Sequence, residues 1–213
     1  MTSQKVFDKI AELKVIPVIA IDSVDAALPL ADALLAGGLP VAEITFRTDA
    51  AAAVMRKIDR ERPEMMLGAG TVLTPQQLRQ AVDAGAEFAV SPGFNPDVVQ
   101  EAVDRSIPFA PGVMTPTDVE AALAQELKAL KFFPAGAAGG PKFLKSLSGP
   151  YSHTGVKFIP TGGVNVNNLA EYLSLDAVCA VGGSWIAKRD VIAAKNWRAI
   201  TEAASHAVEI ARK

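Results

Sequence analysis

Residues 66–113 read MLGAGTVLTPQQLRQAVDAGAEFAVSPGFNPDVVQEAVDRSIPFAPGV, in which short β-type runs starting at Met66, Phe88 and Phe109 alternate with two helical stretches. Each helical stretch opens on an N-cap residue followed by proline, Thr74-Pro75 and Asn95-Pro96. That pairing satisfies the first free N–H groups and presets the first turn. The alternation continues outward: VIPVIAI from Val15, VAEITF from Val41, ALKFFP from Ala129, KFIPTG from Lys157 and AVCAVGG from Ala177, with further helix signals at Asp22 or Ser23 and at Thr115-Pro116. The eight starts lie 20 to 28 residues apart. Each interval holds a strand, about three turns of helix and two short loops.

Strands that alternate with helices imply a parallel sheet. Eight units, with no G-x-G-x-x-G opening turn, favour a closed barrel over an open doubly wound sheet. The expectation is therefore an α/β chain folded as a (β/α)8 TIM barrel with an extra N-terminal helix. It occupies one domain, 1–213, divided into a helix over 1–14, the barrel over 15–195 and a C-terminal helix over 196–213. Val6, Ile10 and Leu13 share one side of the first helix, and Trp197, Ile200, Ala204, Ala207 and Ala211 line the last. In such a fold the chemistry belongs at the carboxyl ends of the strands.

Composition narrows the function. A net charge of -2 over 213 residues lacks the basic face that phosphate neutralisation on nucleic acid requires. One cysteine, Cys179, and two histidines, His153 and His206, fall short of a soft-ligand metal site. The longest apolar run, Val15 to Ile21, has seven residues, against roughly 20 for a membrane span. Asp8 and Glu12 precede it where a signal peptide would be plainly basic. A cytoplasmic protein with no soft-ligand metal site, no membrane and no nucleic-acid partner is expected, and a carboxylate-held magnesium stays open.

Side chains along a strand alternate faces. In VAEITFR, the residues Ala42, Ile44 and Phe46 form a purely apolar face that must pack on helices, which turns Val41, Glu43, Thr45 and Arg47 inward. A buried structural ion pair of Glu43 with Arg47 is the alternative, though desolvation erodes the value of such pairs. In ALKFFP, Lys131 and Phe133 share the face opposite Leu130 and Phe132. A lysine in a central apolar strand needs a reason; a strand-end lysine that snorkels to water is the bland one. Lysine, glutamate and arginine converging in one lumen form a catalytic constellation.

A desolvated lysine can condense with a ketone to form a Schiff base. The amine must be neutral to attack, a requirement that an apolar wall such as Phe133 and the charge of Arg47 favour and a carboxylate at Glu43 opposes. The protonated imine then permits cleavage of a nearby carbon–carbon bond. Glu43 is the candidate to carry protons to and from the substrate. Thr161-Gly162-Gly163 after the seventh run and Gly182-Gly183-Ser184 after the eighth stand where barrels hold phosphate on backbone N–H groups. Gly68-Ala69-Gly70-Thr71 closes the third run, and its parity sends Thr71 inward. His153, His206, Cys179, Lys142 and Lys145 carry no chemistry in this reading.

The segments VAEITFRT, GAGTVLTPQQ, FAVSPGFNP, PFAPGVMTPTDVEAA, LKFFPA, FIPTGGV and VGGSW, in order from about Pro17 to Trp185, resemble the family of 2-keto-3-deoxy-6-phosphogluconate (KDPG) and 4-hydroxy-2-oxoglutarate (KHG) aldolases. The resemblance implies a trimeric, cofactor-free and metal-free class I aldolase of carbohydrate metabolism, with the Entner–Doudoroff pathway as its setting. Its small-molecule partner would be a 2-keto acid phosphate. It implies Lys131 as the Schiff-base lysine, Glu43 as the acid/base, and Arg47 and Thr71 as the pair holding the pyruvyl carboxylate. Pro92 and Phe133 become pocket walls, Thr161 faces the substrate hydroxyls, and Gly162, Gly163, Gly183 and Ser184 cradle the phosphate. The expected reaction cleaves KDPG to pyruvate and glyceraldehyde 3-phosphate. One departure stands out: many members continue KFFPAE, whereas Gly136 follows Ala135 here. KHG or the 6-phosphogalactonate epimer stay open as preferred substrates. Outside this chemistry, a phosphosugar epimerase or isomerase and a non-catalytic phosphate-binding barrel also stay open.

Overall fold

The computed structural model describes residues 3–212, so Met1, Thr2 and Lys213, which the expected terminal helices included, lie outside the described residues. Helix α1 (Ser3–Leu13) precedes β1 (Val15–Ile19), followed by α2 (Ala27–Ala36), β2 (Val41–Thr45), α3 (Ala51–Glu61), β3 (Met66–Gly70) and α4 (Pro75–Val82). The chain continues through β4 (Phe88–Val90), α5 (Pro96–Asp104), β5 (Phe109–Ala110), β6 (Gly112–Val113), α6 (Pro116–Ala124) and β7 (Ala129–Phe132). It ends with α7 (Gly140–Ser148), β8 (Lys157–Pro160), α8 (Leu169–Leu173), β9 (Val181–Gly183), α9 (Arg189–Ala193) and α10 (Trp197–Ala211). The three proline-led helices start as the sequence predicts, with the Thr74, Asn95 and Thr115 side chains accepting from the N–H groups of Gln77, Asp97 and Asp118. Thr115 and Asp118 complete a reciprocal capping box.

Every strand pairing is parallel, but the closed eight-stranded barrel is corrected. Six strands form one sheet in the order β5-β4-β3-β2-β1-β9, and β6-β7-β8 form a second sheet of three. The first break falls at Pro111, which has no N–H to give to a ladder. It divides the run FAPGV into β5, paired with β4, and β6, paired with β7. The second falls between β8 and β9, where among the described residues the isolated bridges Phe158↔Val178 and Thr161↔Gly182 stand in place of a continuous ladder. The run expected to begin at Ala177 becomes a regular strand only at Val181. The chain is thus α/β, built on two parallel sheets.

Two buried clusters follow the predicted parity. Ala42, Ile44, Leu67, Ala69, Leu130, Phe132 and Phe158 pack with helix residues such as Leu30, Val54, Leu78 and Val98. The alternate positions, Ile16, Val41, Met66, Phe88, Ala129 and Ile159, form a second cluster together with Val6 and Ile10 of α1. Most of these open their strands. Helix α1 therefore closes the end where the strands begin and leaves the end where they finish for polar groups.

Candidate active site

Two residues beyond Val41 on the same face of β2 stands Glu43, and two beyond Ala129 on β7 stands Lys131. Both are buried, at 2% and 5% exposure. Lys131 Nζ donates to Glu43 Oε1 at 3.0 Å across 88 positions of sequence. Among the described residues Glu43 pairs with Lys131 and not with Arg47. The space for its carboxylate comes from β3, two residues beyond its register partner Gly68, where a Cβ added at Gly70 would lie 2.8 Å from Glu43 Cγ and Cδ. Only glycine fits so close an approach. The Phe133 ring stands 5.8 Å from Lys131 Nζ, within cation–π range, and its peptide bond to Pro134 is cis.

The other expected residues lie at or just beyond the carboxyl ends of the strands. Arg47 lies exposed in the turn after β2, its Nε donating to Thr45 Oγ1 at 3.1 Å. Thr71 follows Gly70 with φ of 56°, an unusual conformation for a β-branched residue and one that occurs where a site over-determines the backbone. Pro92 follows β4 with its backbone against Gly112, which pairs in register with Lys131. Gly162 and Gly163 adopt left-handed φ angles of 87° and 83°. A Cβ at Gly162 would lie 3.1 Å from the Phe133 ring. The Thr161↔Gly182 bridge sets this turn beside the end of β9, where Gly183 is buried and Ser184 is exposed. The loop after Lys131 is stitched to it as well, with Ala135 N donating to Thr161 O at 2.8 Å and Gly136 N to Gly162 O at 2.7 Å. A Cβ at Gly136 would lie 3.2 Å from Gly163 Cα, so a bare backbone suits this contact.

Sequence reasoning placed Thr45 on the inward face and assigned it nothing. It is buried, donates to Ile19 O at 2.8 Å and accepts from Arg47. The available signal was its parity with Glu43. At the opposite end lies a cleft of about 980 Å³, bounded by Phe7, Val103, Phe109, Lys128 and Lys157. Its lysines donate to the carbonyls of Thr154 and Asp176, a structural use. Cys179 lies there too, and burial pushes its thiol up to about 11, far from a thiolate nucleophile. Among the described residues no group of three or more His, Cys, Asp or Glu is placed to hold a metal ion, and no helix is long and apolar enough to cross a membrane.

The arrangement can therefore hold an amine and a carboxylate in contact in a water-poor setting, with an exposed guanidinium, the Gly162-Gly163 turn and the glycine end of β9 at the same strand-exit end. The family model described as KDPG and KHG aldolase matches residues 6–203. A 2-dehydro-3-deoxy-phosphogluconate aldolase of Haemophilus influenzae is 44% identical over 209 residues, 98% of either chain. A KHG/KDPG aldolase of Escherichia coli K12 is 43% identical over 93% of this chain and 92% of its own. Among solved structures, a KDPG aldolase from Legionella pneumophila, with pyruvate captured as a covalent carbinolamine, superposes with a TM-score of 0.90 at 43% identity, covering 96% of this chain and 97% of that one. This chain belongs to the KDPG and KHG aldolase family.

Proposed function

We propose that the protein is a class I aldolase that cleaves 2-keto-3-deoxy-6-phosphogluconate to pyruvate and glyceraldehyde 3-phosphate. The observation that carries this reading is the buried contact of 3.0 Å between Lys131 Nζ and Glu43 Oε1. Proton transfer across it yields a neutral amine, which attacks the C2 ketone to give a carbinolamine. Glu43 returns a proton to the departing hydroxyl, water leaves, and a protonated imine remains on Lys131. Glu43 then removes the C4 hydroxyl proton. The C3–C4 bond breaks, its electrons pass toward the imine nitrogen, and glyceraldehyde 3-phosphate departs from an enamine of pyruvate. Reprotonation at C3 and hydrolysis of the imine release pyruvate and restore the lysine.

In this reading Arg47, with Thr71, holds the pyruvyl carboxylate, since an exposed guanidinium beside the strand ends matches a carboxylate's two oxygens. Phe133 and Pro92 wall the ketone. Thr161 meets the hydroxyls, and the turn at Gly162-Gly163 with Gly183-Ser184 receives the phosphate on backbone N–H groups. The resemblance to the family supports a cytoplasmic homotrimer, which light scattering on the purified protein tests.

Borohydride reduction in the presence of pyruvate, followed by mass spectrometry, leaves a pyruvyl adduct on Lys131. Absence of the adduct, or full activity in Lys131→Ala, overturns the reading. A second substrate deserves comparison because the Escherichia coli relative is a KHG/KDPG aldolase: KHG ends in a carboxylate where KDPG continues to a C5 hydroxyl and a phosphate, so the ratio of kcat/KM on the two substrates measures what Thr161 and the glycine-rich strand ends contribute together.

A further inference from the structure

The geometry points to Thr45 as a positioning residue that aims the Arg47 guanidinium at the substrate carboxylate, an inference that rests on the proposed role of Arg47. Thr45 ends β2 and is 1% exposed, so its hydroxyl must find partners inside the protein. The hydroxyl has a single proton, and that proton is committed to Ile19 O on the neighbouring strand β1 at 2.8 Å. What remains is acceptor capacity, which Arg47 Nε fills at 3.1 Å. The carbonyl of Ile19 thereby fixes the polarity of the hydroxyl that Arg47 meets.

Two further bonds hold the turn itself: Phe46 N donates to Gly70 O at 2.8 Å, and Thr48 Oγ1 donates to Ile21 O at 2.6 Å. The backbone that carries Arg47 is thus anchored to β3 and to the chain beyond β1. Its long, exposed side chain has one side-chain anchor among the described residues, Thr45. Thr45 occupies Nε and leaves the two Nη groups to meet a carboxylate as a fork. An arginine held this way binds without first losing its rotamer freedom.

Thr45→Val keeps the shape and β-branching while it removes both hydrogen bonds. The test is the ketone concentration that gives half-maximal borohydride trapping on Lys131, measured with pyruvate and with acetone, which has no carboxylate. For pyruvate it rises about tenfold, as expected for loss of a hydrogen bond to a charged group; for acetone it stays put, and Thr45→Ser restores the pyruvate value. In an Arg47→Met background Thr45→Val adds nothing for pyruvate, because the two act as one unit. An equal shift for both ketones, or a Thr45→Val effect that persists without Arg47, makes Thr45 a structural strand residue and overturns the inference. If Arg47→Met leaves the pyruvate value unchanged, the role assigned to Arg47 fails first, a distinct result. If the valine variant does not fold, serine against alanine at the same position carries the test.

Discussion

Val41 and Glu43 share one face of one strand, as do Ala129 and Lys131, yet they end in different environments. The first of each pair joins an apolar cluster closed by Val6 and Ile10 of α1. The second joins a buried ion pair. A step of two residues, some 6.5 Å along a strand, separates a region organised by hydrophobic burial from one organised by charge. The strand-start end gains stability from every side chain it buries. The strand-exit end gives little or none, since desolvating two charges cancels most of their attraction; its value is chemical.

The sharpest way to break this contrast is to make the exit end resemble the start. The double variant Lys131→Met, Glu43→Leu abolishes cleavage and pyruvate trapping. Its unfolding free energy stays level or rises by about 1–4 kcal/mol, the range seen when apolar groups replace a buried pair; a large loss measured by denaturant titration would show that the pair stabilises the fold. A milder change, Glu43→Gln, keeps the shape and removes the proposed proton carrier. It lowers kcat about 10²- to 10⁴-fold and still permits a slower borohydride adduct on Lys131.

At the start end the converse holds. Ile10→Ala, in a side chain with no exposure, costs about 2–5 kcal/mol of stability and leaves kcat unchanged at temperatures where the variant is folded. A fall in kcat matching the stability loss would mean that the two ends are coupled. The smallest effect belongs to the rim of the exit end, where Asp118 accepts from the N–H groups of Met114 and Thr115. Burial raises the Asp118 carboxyl, but these bonds and the Thr115 hydroxyl outweigh it and hold the group below its usual 3.8. Its contribution is therefore complete above that value and is lost as the pH falls through the lower, folded one. Asp118→Ala costs about 1 kcal/mol near neutrality, and the difference shrinks in strong acid; pH-dependent unfolding curves measure it.

Much of this was legible in the chain. Period-two alternation in VAEITFR and ALKFFP put Glu43 and Lys131 on inward faces, because a strand has no other way to direct its side chains. The Thr74, Asn95 and Thr115 caps marked three helix starts through bonds that span two or three residues. The count of βα units misled in one respect. Pro111 could be read as a residue without an N–H, but whether the missing bond merely loosens a strand or parts two sheets depends on neighbours distant in sequence. The same holds at Ala177 to Ala180, whose β-type composition did not secure a regular ladder partner.

The sequence by itself determined the α/β alternation, three helix starts, the face each strand turns inward and which lysine is proposed as the reactive amine, since all of these rest on local geometry and residue chemistry. Tertiary structure alone decided that the strands form sheets of six and three, that Glu43 meets Lys131 and not Arg47, and that Thr45 ties Arg47 to the carbonyl of Ile19. Those are outcomes of pairing across tens of residues. Distance and burial there depend on how the strands register, which no local pattern encodes.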